Sequence, residues 1–254
     1  MKYYASRNRK RKRNRDKVKI ISLGKKLSLK DCSLKRKAVF KNTARRHASK
    51  HTLTCSLYST ETEPIHPDAD IIFLVDSSTG VSSQQFDMEK QFVGRMARYF
   101  IVSPLGPRAA FVSYSTTSYT VISFSGYTST GDFRLKINSA PFLGGRRRID
   151  QALIHAAKLF QETGRVGLRI VILLTAGNYY MGPGANSMSS VMSSMHSLDA
   201  HIYVIGIGSY FTPSMFTPMV RGPADIFELP SFSDLAPWQS RIARQLRLSA
   251  NACK

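Results

Sequence analysis

Three nearly unbroken apolar runs constrain this chain more than any other feature. They read "ADIIFLVD" at 69–76, "RIVILLTAG" at 169–177 and "HIYVIGIG" at 201–208. Each has the length of a strand and lacks polar alternation, so each predicts a strand buried on both faces. Such a sheet needs helices on both sides, and the intervening segments supply them. Ser82 with Gln85 has capping-box spacing, after which Phe92, Val93, Met96, Ala97 and Phe100 share one helical face. Ile149, Ala152, Leu153, Ala156, Ala157 and Phe160 keep the same period. Met188, Val191, Met192, Met195 and Leu198 mark another helix, its methionines filling core gaps. Leu235, Trp238, Ile242 and Leu246 line a closing helix, which the only tryptophan is expected to fasten to the sheet.

Between these lie "RAAFVSYS" and "YTVISF", close enough for a hairpin, then a short helix over 130–138. "DIFELP" reads as an edge strand. Strands alternating with helices predict an α/β fold with a Rossmann-like, doubly wound, mostly parallel central sheet and helices on both faces. Such sheets bind ligands beyond the carboxyl ends of the strands, where strand order reverses. Asp76 and Thr175 fall at two such ends.

Charge divides the chain. The formal net charge is +21, yet residues 1–50 hold 20 Lys and Arg against two acids, while the rest holds 17 against 14. Residues 1–50 lack apolar periodicity and read as a basic disordered arm. Nucleic acid, other polyanions or an anionic surface are candidate partners for it; a solvated leader without a partner is the plainer alternative. A connector with Pro64 and Pro67 spans 51–67, the folded domain 68–250, and a tail 251–254. No run is long and apolar enough to cross a membrane, and no signal-peptide core follows Met1. Cys55 precedes the first strand and Cys253 follows the last helix, so the two pair if the chain is exported; otherwise they and Cys32 remain thiols.

Catalytic chemistry finds no support. Ser78 lies beside Asp76, but no histidine can be placed as its base. His155 and His201 have no partner at ligand spacing, and "GIGSYF" lacks a phosphate-loop fingerprint.

Four segments, "DIIFLVDSSTGVSSQQF", "GGRRRIDQALIHAAKLF", "IVILLTAG" and "IYVIGIG", in this order and spacing resemble the von Willebrand factor type A domain, in its collagen-VI, matrilin and cochlin-like extracellular group. The resemblance covers about residues 68–250. It implies one antiparallel edge strand and a top-face site for a protein ligand, possibly matrix or collagen-like. It also implies an extracellular location, against the nuclear or cytoplasmic one that the missing signal peptide would suggest. The family's metal-ion-dependent adhesion site is degenerate here. Where the family reads Asp-x-Ser-x-Ser, this chain has Asp76, Ser78 and Gly80. Arg147 takes the place of a threonine, and Thr175-Ala176-Gly177 that of Thr-Asp-Gly.

Mg²⁺ wants about six oxygens in near-octahedral array, and an arginine at the site repels it. No metal and no cofactor is therefore expected. Without a metal, Asp76 needs a cation, and Arg147 or its neighbours Arg146 and Arg148 could supply one as a bidentate pair. Two readings follow. The arginines form a metal-independent face for an acidic partner, or an internal ion pair closes a relic site and the remaining arginines are solvated. A scaffold inside cells whose arm binds nucleic acid is the alternative to the adhesion module.

Overall fold

A computed structural model describes residues 65–252, with side chains through Leu248. The basic arm, Cys32, Cys55 and Cys253 lie outside the described residues. In chain order the elements are β1 (Asp70–Asp76), α1 (Ser83–Phe100), β2 (Arg108–Tyr114), β3 (Ser118–Ile122), α2 (Thr130–Ile137), α3 (Ile149–Thr163), β4 (Arg169–Thr175), α4 (Met188–Ser197), β5 (Ala200–Ile207), the single turn α5 (Pro213–Phe216), β6 (Ile226–Leu229) and α6 (Leu235–Ala252). The six strands form one sheet in the order β3-β2-β1-β4-β5-β6. Only β3 is antiparallel, as the hairpin predicts. Strand order reverses between β1 and β4, whose carboxyl ends are Asp76 and Thr175.

The apolar runs are buried on both faces because the two sides feed different cores. Ile71, Phe73 and Val75 of β1 pack with α1, α2 and α6, and Ile72 and Leu74 with α3 and α4. At the head of α1 the Ser82 hydroxyl accepts from Gln85 N at 3.2 Å, and Ser82 N donates back to Gln85 Oε1 at 2.8 Å, completing the capping box.

Several expectations need correction. Ile65, placed in the connector, is fully buried, so the packed core starts earlier; α6 runs on to Ala252, into the expected tail. Trp238 packs against the core at half burial and shares the seating of α6 with the buried Leu235, Ile242, Ala243 and Leu246, while Arg241 lies over its indole at 4.6 Å. The two histidines, without partners at ligand spacing in the sequence, each have a hydrogen-bond partner in the fold. His201 Nε2 meets Asp225 Oδ2 at 2.9 Å, and its ring stacks on Tyr203 at 4.2 Å; His155 Nε2 meets Thr120 Oγ1 at 2.6 Å. A polar group taken out of water needs such a partner.

Candidate functional site

The site sits where β1 and β4 part. Beyond β1 the chain turns sharply, and Ser78 N donates to Asp76 Oδ1 at 3.0 Å. From the end of β4, Ala176 N donates to Asp76 Oδ2 at 3.0 Å. Asp76, fully buried, thus ties both strand ends together. The third partner comes from the loop before α3: Arg147 Nε donates to the same Oδ2 at 2.5 Å.

That loop is held firmly. Gly144 N donates to Ser77 O at 2.8 Å, Thr79 N and Oγ1 donate to Gly145 O at 2.9 and 3.0 Å, and Arg146 N donates to Thr116 Oγ1 at 2.9 Å. Tyr180 N donates to Arg147 O at 3.0 Å. Glycine is needed at 145, where φ is +94° and a Cβ would lie 2.4 Å from Thr116 Oγ1. The backbone around Arg147 is therefore fixed before its side chain turns inward.

Two glycines make room for the guanidinium. A Cβ at Gly80 would lie 2.4 Å from Arg147 Nη2, and one at Gly177 2.9 Å from Nη1. Gly80, read from sequence as a lost ligand oxygen, is thus also the space Arg147 occupies. The expected bidentate pair is instead a contact through Nε alone, because Nη1 and Nη2 are turned toward the glycines; among the described residues Nη2 has no hydrogen-bond partner. Burial is the largest single influence and pulls the Arg147 pKa down, but the charge and hydrogen bond of Asp76, together with Tyr114 and Glu89, hold it above the ordinary arginine value.

The other arginines have separate places. Arg148, expected on the ligand face, is committed to a structural clamp: its Nε and Nη2 grip both Asp150 oxygens at 2.8 and 2.7 Å, and Nη2 also donates to Gly184 O. Asp150 accepts from Asn186 N and Nδ2, both at 2.8 Å. Burial works against the Asp150 anion, but these donors bring its pKa down to about 2. Arg146 lies over the Tyr180 ring at 4.8 Å, beside a cleft of about 220 Å³ whose lining includes Ser78, Gly80, Arg147, Asn178 and Tyr180 and no acidic residue. Thr175 is turned away, its hydroxyl donating to Gly177 O at 2.8 Å.

Sequence reasoning missed Glu89. It lies fully buried on the apolar stripe of α1, with neither carboxylate oxygen bonded. The signal was an acid three residues after Phe86 and four before Val93. Burial raises its pKa well above the ordinary value; Asp76 adds to the rise and Arg147 opposes it. A carboxyl raised on folding contributes its stabilisation below its unfolded pKa and loses it as pH climbs through the folded one. Glu89→Gln should therefore be more stable than wild type in urea at pH 7, with the gain shrinking toward pH 4. An equal effect at both pH values would show that Glu89 stays ionised on folding.

Chemically, the site presents one carboxylate neutralised by a fixed guanidinium, with Arg146 and an aromatic ring above it. Among the described residues no group of three or more His, Cys, Asp or Glu side chains is placed to hold a metal.

A family model described as "von Willebrand factor type A domain" matches residues 70–240. The collagen alpha-1(VI) chain of Xenopus laevis is 26% identical over 201 residues, 72% of this chain and 19% of that protein. Cochlin of Bos taurus is 31% identical over 109 residues, 42% of this chain and 20% of that protein. This chain thus spans about a fifth of the length of these curated relatives. Among solved structures, proximal thread matrix protein 1 from the mussel byssus aligns at TM-score 0.66 and 21% identity over 72% of this chain and 48% of that one. The same protein with a zinc-occupied MIDAS motif aligns at 0.64 and 22%, over 73% and 49%. At these identities the structures bear on the fold alone, which is shared.

Proposed function

This chain belongs to the von Willebrand factor type A family, and on that premise we propose that it is a non-catalytic adhesion module of the extracellular-matrix type, whose upper face binds a protein ligand without a metal ion. One observation carries the proposal: the Arg147 guanidinium bonds Asp76 within a space bounded by Gly80 and Gly177. The metal implied by the family does not fit these residues. Asp76 is already saturated by Ser78 N, Ala176 N and Arg147 Nε, and Thr175 has turned to Gly177. A divalent ion would have to displace a cation that cannot lose its proton.

In this reading the ligand meets Arg146, Tyr180 and Asn178 around the cleft, while Arg147 keeps the floor closed. The matrix names among the relatives support an extracellular setting. The full chain should be retained on fibroblast-laid matrix stripped of sulfated glycans by heparinase and chondroitinase. Retention should be equal in EDTA and in Mn²⁺, and Arg146→Glu should weaken it. No retention, or retention abolished by EDTA, contradicts the proposal.

A further inference from the structure

The charge of the folded domain is unevenly placed. Helix α1 packs between α2 and α6 over one side of the sheet. This side exposes Arg98 on α1, Arg134 on α2, and Arg241 and Arg244 on α6. Among the described residues none of the four has a carboxylate partner; elsewhere Arg108, Arg147, Arg148, Arg165 and Arg221 are ion-paired, and Arg146 at the cleft is not. The exposed acids of the three helices are already answered: Asp87 meets Lys90, and the half-buried Asp132 meets Lys136. On the opposite side, α3 and α4 carry no arginine, and the exposed Lys158 and Glu162 pair with each other.

The four arginines stand on three helices that pack side by side. Arg134 lies across α1 at Gly94, its Cγ and Nε 3.7 and 3.8 Å from where a Cβ there would sit. Arg98 follows one helical turn beyond Gly94. Across the other flank, Arg95 Nε donates to Gln239 Oε1 at 2.6 Å, joining α1 to the segment that carries Arg241 and Arg244.

We propose that this helical face binds a linear sulfated polysaccharide. The proposal rests on the extracellular reading above but not on the Arg147 site. Among the described residues every exposed cation of this face without a carboxylate partner is an arginine, whose planar fork pairs bidentately with oxyanions. A row of them over three helices suits an extended polyanion better than a single carboxylate. Base stacking has little to use, since Arg241 covers Trp238 and Arg247 covers Tyr99. Of the three helices' own large apolar residues, the exposed ones are Leu135 on α2 and Leu248 on α6, which sit on the two outer helices rather than along α1.

Arginine footprinting on the full chain tests this, because it separates the helical face from the basic arm. The probes are a heparin-derived oligosaccharide, duplex DNA and phosphatidylserine vesicles, each present while phenylglyoxal modifies the protein and peptides are mapped by mass spectrometry. The oligosaccharide should slow modification of Arg98, Arg134, Arg241 and Arg244 several-fold and leave Arg221 unchanged. The combined variant Arg98→Ser, Arg134→Ser, Arg241→Ser, Arg244→Ser should keep its fold by circular dichroism and elute from a heparin column at lower salt. Protection confined to residues 1–50, or protection of the four arginines by DNA or vesicles but not by the oligosaccharide, overturns the proposal.

Discussion

Arg147→Ala should unfold in urea with a stability loss of about 3 kcal/mol and an unchanged denaturant slope. Asp76 is completely buried, and among the described residues the arginine is the only cation bonded to it. Removing one partner of a buried ion pair typically costs about 3–5 kcal/mol, because the other charge is left in a poor solvent. Asp76 keeps its two backbone donors, Ser78 N and Ala176 N, which places the expected loss at the lower end. Arg147→Lys should recover only part of it, since an ammonium lacks the flat fork that fits between Gly80 and Gly177. Asp76→Asn combined with Arg147→Met should lose less than the sum of the single losses. An Arg147→Ala protein within about 0.5 kcal/mol of wild type, the range of ordinary surface changes, would show that the pair is open to water.

Gly80→Ser should cost about 2 kcal/mol in the wild-type background and almost nothing in Arg147→Ala. The added Cβ would lie 2.4 Å from Nη2. A free arginine would swing aside cheaply. This one is bonded to Asp76 through Nε, and Gly177 bounds it on the other flank. The serine must then break the ion pair or move the loop. With the guanidinium gone, the three atoms nearest to a Cβ at 80 are gone with it. A double-mutant cycle measures the difference, and equal costs in both backgrounds would mean that Gly80 and Arg147 are independent.

Much of this was legible before the fold was known. The apolar runs announced their burial because strands covered on both faces have no polar side to alternate with. Arg147 was legible at the family's threonine position from its count back to the α3 stripe, but as the cation for Asp76 it stood beside Arg146 and Arg148. The meaning of Gly80 was not: sequence shows that an oxygen is missing, whereas only the packed loops show that the vacancy is filled by Nη2. The fate of Arg148 was equally hidden, because its clamp closes through Gly184 and Asn186, more than thirty residues away. Glu89 was visible as an acid in an apolar stripe, but its proximity to Asp76 and Arg147 depends on how α1 docks on the sheet. His201 looked isolated because its partner Asp225 lies beyond β5, in the turn before β6.

Isothermal calorimetry of the chelator-washed full chain against Mn²⁺ and Mg²⁺ tests the metal-free site most directly. Ligand that binds only the native state raises stability with concentration, and here there should be none to raise: no saturable heat that Asp76→Ala removes, and a melting temperature equal in millimolar Mn²⁺ and in EDTA. Arg147→Thr should behave the same way, since Gly80 and Ala176 still supply no side-chain oxygen. A stoichiometric, EDTA-reversible site that disappears with Asp76→Ala would contradict the account and return the domain to cation-dependent adhesion.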